Sequence, residues 1–141
     1  VIWILDTDHL SLLLQNHLQV IQQVERRLPE EIAITVVTAE EQLRGRFSVI
    51  RQASQARQAE QLVQAYRKLR DTLNDLKQFY ILDFTPAAFT HYETLLKRKL
   101  RVGTQDLRIA AIALSLNATI VTRNQRDFER IPGLLLEDWT V

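Results

Sequence analysis

The sequence predicts an α/β fold: a mostly parallel central sheet of four to five strands flanked by helices, with a protruding helical hairpin. Three observations carry this expectation. Short apolar runs rich in β-branched residues alternate with stretches of helical periodicity, the pattern of a parallel sheet covered by helices. Only three Gly and three Pro interrupt the 141 residues, which favours regular elements and short loops. Between Thr38 and Phe79 the chain is almost wholly helical in pattern, and its apolar residues recur at alternating spacings of three and four, the seam of paired helices.

Val1–Leu5 is a continuous apolar run and reads as strand one, buried on both faces. Asp6 or Asp8 caps a helix over Leu10–Leu14, and Asn16 caps a second that stops before Pro29. Ile32–Val37 is strand two. Thr38-Ala39-Glu40-Glu41 then has the form of a capping box opening a third helix. Leu43, Phe47 and Ile50, followed by Ala59, Leu62, Tyr66, Leu69, Leu73 and Leu76, predict an arm over about 38–79 that turns near Gln52–Gln55. With ~25 residues per helix such an arm reaches nearly 40 Å, more than one small sheet needs, and it predicts a homodimer or partner surface with Val63 facing outward. Tyr80–Phe84 is strand three. Thr85-Pro86 starts a helix to about Lys99, Val102-Gly103 breaks it, and Thr104 caps the next, with Leu107, Ala110, Ala111 and Leu114 inward. Thr119–Thr122 is strand four, Asn124 caps a short helix, Pro132-Gly133 turns, and Leu134–Leu136 is the last strand.

Composition narrows the class. Apolar residues are 46% and charged residues 25%, ordinary for a globular chain, and one domain over 1–141 is expected. A net charge of +1 is too mild to imply nucleic-acid binding by itself. The absence of cysteine excludes disulfides, thiolate chemistry and cysteine-ligated zinc. No apolar stretch approaches the ~20 residues of a membrane helix and no signal peptide is read, so a cytoplasmic protein is expected.

The chemistry lies in the acids. Strand C-termini share one edge of a parallel sheet, where ligands bind. Asp6 follows strand one, Glu41 lies in the helix after strand two, and Asn124 follows strand four. The helix from Thr104 runs back into strand four, which puts Asp106 at the same edge. Carboxylates so gathered repel, by about 4 kcal/mol per pair at ~4 Å and an effective dielectric of ~20; a divalent cation resolves this. Each acid also has a plain structural reading: Asp6 as a helix cap, Glu41 as the third helical residue of a capping box, Asp106 and Asp127 as first-turn acids favoured by the helix dipole. The conjunction favours a metal site. His9, His17 and His91 have no metal-ligand spacing and read as surface or packing residues.

Leu5-Asp6-Thr7-Asp8, Thr38 through Gly45, Asp106 through Ala111, and Val121-Thr122-Arg123-Asn124-Gln125-Arg126-Asp127-Phe128, with the ending Ile131-Pro132-Gly133 through Glu137-Asp138-Trp139, together resemble the PIN-domain nucleases. Within these the chain is similar to the VapC toxins of type II toxin–antitoxin pairs. The resemblance implies a Mg²⁺- or Mn²⁺-dependent endoribonuclease with catalytic Asp6, Glu41, Asp106 and Asn124, of which Asp6, Asp106 and Glu41 hold the metal. Thr7, Arg44, Arg123 and Arg126 would meet substrate, with Arg46 nearby. RNA, tRNA or ribosomal RNA among its kinds, is the implied substrate, and a VapB-like antitoxin the implied partner. Asn124 stands where many members have Asp, and Asp8 where Asn is common. Two other readings are set beside this one: a degenerate PIN module that binds RNA or antitoxin without cleavage, and a phosphatase using Asp6 as nucleophile, suggested by Asp6-Thr7-Asp8.

Overall fold

In the computed structural model, which describes residues 1–141, five strands form one sheet. They are β1 (Trp3–Leu5), β2 (Ile32–Thr35), β3 (Tyr80–Leu82), β4 (Thr119–Val121) and β5 (Leu135–Glu137), in the order β3-β2-β1-β4-β5 with every neighbouring pair parallel. The helices are α1 (Thr7–Leu14), α2 (Leu18–Glu25), α3 (Val36–Ala56), α4 (Ala59–Leu76), α5 (Pro86–Lys97), α6 (Thr104–Leu116) and the single turn α7 (Gln125–Phe128). This strand order reverses direction between β1 and β4, and a crevice opens at such a reversal beyond the strand C-termini.

Alternation along the strands divides the core in two. Ile4 and Ile120 point into a cluster with Ala88 and Leu95 of α5, Leu107 and Ile109 through Ala113 of α6, and Phe128. Leu5 and Val121 point the other way, to Leu10, Val20, Ile34, Leu76 and Trp139. Each fully buried Ile or Leu contributes roughly 1.5–3 kcal/mol. The α6 run Ile109-Ala110-Ala111-Ile112-Ala113 is buried all round, because α6 lies between α5 and the sheet; the expected face of Leu107, Ala110 and Ala111 is thus only part of its buried surface. The C-terminal segment is anchored separately. The Arg27 guanidinium sits 4.4 Å from the ring centroids of both Trp3 and Trp139, and Glu137 accepts from both indole N–H groups at 3.0 Å. Each cation–π contact stabilises by about 0.5–2 kcal/mol.

Several boundaries differ from expectation. α1 begins at Thr7, with Asp6 as its cap. Asn16 adopts a positive φ of 62° and ends α1, while His17 caps α2 through its ring nitrogen. Asn tolerates the left-handed region and also caps well, so its identity does not separate these roles. β2 stops at Thr35, whose hydroxyl accepts from the Thr38 N–H at 3.1 Å; Thr38 is not the cap, and Glu41 has no capping duty. Gly103, not Thr104, precedes α6. β3 is shorter than Tyr80–Phe84, and β5 runs one residue later than Leu134–Leu136.

The arm exists, but it turns at Arg57-Gln58, not at Gln52–Gln55. Arg57 takes a left-handed φ of 54°, a turn without Gly or Pro to mark it. With 21 and 18 residues its helices span about 30 Å at 1.5 Å per residue, less than expected. Its seam is also different. Ala53, Ala65 and Thr72 are buried between the helices, whereas Phe47 and Tyr66 are 52% and 55% exposed. Small side chains let the backbones approach, and Arg46 Nε donates to Thr72 Oγ1 at 2.9 Å across the seam. Of the larger apolar residues expected in the seam, Phe47, Tyr66 and Leu73 turn outward, Leu43, Ile50, Leu62 and Leu69 stay half-buried and Leu76 is buried; Val63 is exposed as expected.

Candidate active site

The crevice between β1 and β4 gathers the expected acids. Asp6 leaves β1 with its N–H donating to the Val121 carbonyl at 3.1 Å, which binds it to the exit of β4. Its side chain is only 14% exposed. Asp6 Oδ1 accepts twice, from the His9 N–H at 2.7 Å and from the His9 ring at 3.2 Å. Thr7 Oγ1 donates to Glu41 Oε1 at 3.3 Å, so the start of α1 holds the acid of α3.

Electrostatics tie these groups to α6 and α7. Burial pushes the Glu41 carboxyl above its ordinary range; the negative charges of Asp106 and Glu40 add to this, against the Thr7 hydrogen bond. Burial likewise pushes Asp106 up, followed by the charges of Asp127 and Asp6. Asp6, Glu41, Asp106 and Asp127 therefore share one field. Neighbouring Glu40 is different. It accepts from Gln105 at 2.9 Å and Arg44 at 2.7 Å, and its carboxyl lies below the usual range, chiefly through the Gln105 bond. Asn124 precedes α7 without a side-chain capping bond; its amide donates to Asp127 Oδ2 at 3.1 Å.

The basic residues are partly committed. Arg123 Nε and one terminal nitrogen donate to the two oxygens of Asp8 at 2.6 and 2.7 Å, and this fork holds the Asp8 carboxyl below the usual carboxylate range. Arg44 pairs with Glu40, Arg46 is taken by the arm, and Arg126 is exposed. His9, expected at the surface or in packing, is wholly buried, and besides touching Asp6 it accepts from the Trp139 N–H at 3.2 Å. That partner lies 130 positions away, beyond the reach of a spacing argument. Oxygens of Asp6 and Asp8 and a His9 nitrogen lie within 4.8 Å of one another, but His9 has both nitrogens engaged.

A wholly parallel sheet with half-buried, mutually repelling carboxylates at its point of strand reversal defines an α/β protein with an acidic crevice. Residues 4–134 match the PIN domain family, and the chain belongs to it. It is 31% identical to Ribonuclease VapC1 of Haemophilus influenzae (strain R2866), over 99% of this chain and 98% of that protein. It is 34% identical to the tRNA(fMet)-specific endonuclease VapC of Salmonella typhimurium, over 57% of this chain and 64% of that one. Among solved structures, VapBC-1 from nontypeable Haemophilus influenzae superimposes with a TM-score of 0.75 at 27% identity, each chain fully covered.

Proposed function

We propose that this chain is a VapC-like endoribonuclease toxin that hydrolyses RNA phosphodiester bonds with Mg²⁺ or Mn²⁺ and is restrained by a VapB-like antitoxin. The observation that carries the reading is the shared field of Asp6, Glu41 and Asp106, inside a chain similar over its whole length to a ribonuclease. Carboxylates crowded and partly buried together fit a hard divalent cation, which removes their repulsion and takes oxygen ligands. Asp6, Asp106 and Glu41 would hold it. Oδ1 of Asp6 is occupied by His9, which leaves Oδ2 for the ion. When bound, the cation supplies Lewis acidity at the phosphate and lowers the pKa of water.

The chain's own groups account for the rest. Glu41, steadied by the Thr7 hydroxyl at 3.3 Å, would orient the attacking water with whatever carboxylate oxygen the ion leaves free. Asp127 supplies the fourth negative charge, with Asn124 holding its carboxylate. Arg123, Arg126 and Arg44 would meet RNA phosphates, which positions the strand without reading its bases. The test is cleavage of RNA by the purified chain, with tRNA first because a relative is named for it. Cleavage should appear with Mn²⁺ or Mg²⁺ and stop with chelator. Intact RNA under saturating metal would leave the degenerate binding module as the better reading; phosphate release from a small ester would favour the phosphatase.

Because Arg123 is forked onto Asp8, RNA must compete for it. Asp8→Asn should release the guanidinium and add about one phosphate contact, steepening the dependence of log K on log salt by roughly 0.7 for single-stranded RNA. Filter binding without divalent metal measures this, and an unchanged slope would remove Arg123 from the interface.

For the antitoxin we assign the apolar groove of Val36, Ala39, Leu43 and Phe47 on α3, which continues past Val36 and Glu40 to Phe84, Phe89 and Tyr92. A helix with apolar residues on one face suits such a groove. Phe47→Glu should weaken binding of a cognate antitoxin at least tenfold by calorimetry while Mn²⁺ affinity stays unchanged; equal antitoxin affinity would move the contact elsewhere. A second copy of the chain is the other proposed partner, through the outward face of the arm near Val63.

A further inference from the structure

We propose that His9 is a positioning residue for the Asp6 carboxylate, braced from behind by the C-terminal segment. The inference rests on the reading of Asp6 as a cation ligand. His9 is wholly buried, and a buried imidazole must satisfy both nitrogens. Nε2 faces the Trp139 backbone N–H at 3.2 Å, which can only donate, while Asp138 Oδ1 stands off at 3.6 Å, longer than a hydrogen bond and already taken by the Thr140 N–H and hydroxyl. Nε2 is therefore the acceptor, and the ring hydrogen sits on Nδ1. Nδ1 lies 3.2 Å from Asp6 Oδ1 and donates to it. The same oxygen takes the His9 backbone N–H at 2.7 Å.

Two donors on one oxygen fix the carboxylate's rotation. Oδ1 is saturated by these two donors, which leaves Oδ2 as the oxygen free to take a ligand. The brace is itself held. Trp139 is clasped through Arg27 and Glu137, and Asp138 is occupied by the Thr140 N–H and hydroxyl at 2.8 and 2.6 Å. A chain of contacts thus runs from the end of the protein through the imidazole to the acid after β1. Hydrogen bonds of this kind to a ligating carboxylate change metal affinity by roughly 10–100-fold.

Two conservative variants separate positioning from packing. In His9→Asn the side-chain N–H₂ replaces the Nδ1 donor to Asp6. In His9→Gln the amide oxygen replaces the Nε2 acceptor for Trp139, and the donor is lost. Manganese affinity, measured by calorimetry on the otherwise intact chain, should remain within a few-fold of wild type in His9→Asn and fall at least tenfold in His9→Gln. Equal affinities in both variants, whether high or low, would overturn the inference, since a packing role does not distinguish them. A nitrogen-correlated spectrum of the metal-free wild type gives an independent readout: hydrogen on Nδ1 of His9 is expected, and hydrogen on Nε2 would overturn the assignment even where neither variant folds. Asp6→Asn is the control. If it binds Mn²⁺ as tightly as wild type, the metal reading of Asp6 fails; if it loses the ion while His9→Gln keeps it, only the positioning role fails.

Discussion

Asp106→Asn should reduce metal-dependent RNA cleavage by two to three orders of magnitude while raising the melting temperature of the metal-free protein. The cation's charge stabilisation is worth several kcal/mol, and about 1.4 kcal/mol is tenfold in rate, so a badly held ion loses most of the activity. Stability moves the other way because burial and the charges of Asp127 and Asp6 raise the Asp106 pKa. A carboxyl with a raised folded-state pKa holds its proton more tightly folded than unfolded, so stability falls as pH climbs from the ordinary carboxylate value through the raised one. The mutant lacks this loss. Its melting temperature should therefore exceed that of wild type above the carboxylate range and converge with it at lower pH, allowing for an offset common to all pH values. Differential scanning calorimetry with chelator present checks the crossover. Glu41 is shifted in the same direction, so Glu41→Gln should behave similarly. Retained cleavage in Asp106→Asn at saturating Mn²⁺ would remove Asp106 from the site.

Phe128→Ala should destabilise the protein by about 3–5 kcal/mol, the usual cost of emptying a buried aromatic position, and lower its melting temperature by roughly 10–20 °C. Phe128 is 1% exposed and packs with Ile131 into the α6 side of the core. It follows Asp127 directly and closes the single turn that carries Asn124, so loss of the ring also unfastens the fourth acidic position. Manganese affinity at a temperature where the variant is still folded should therefore weaken. A folded variant with wild-type affinity would show that α7 keeps its place without the ring. Thermal melts and calorimetry on one preparation decide both points.

Element type and order were legible in the residues because hydrophobic period is local information. The β-branched run Ile32–Thr35, the 3.6-residue pattern of α6 and the Thr85-Pro86 start of α5 each act within one turn or strand. Asp6 and Asp106 could be placed at one edge because a helix that runs back into a parallel strand starts at that strand's C-terminal edge. The PIN likeness was legible too, in motifs spread along the chain. What remained hidden depends on approach between distant segments. The arm reverses at the left-handed Arg57, where no Gly or Pro marks the turn, and its seam is Ala53, Ala65 and Thr72 because close backbones exclude Phe47 and Tyr66. Glu41 could be read as a capping residue until the start of α3 at Val36 removed that duty and its field with Asp106 appeared. Arg123 looked free for phosphate until Asp8 was found forked to it. His9 carried no signal in spacing, because its partners are a carboxylate three residues away and a backbone N–H at the far end of the chain. The residues thus determined which elements form and which acids meet; only tertiary packing decided which side chains stay free, since hydrogen-bond partners in a closed core are set by distance in space and not along the chain.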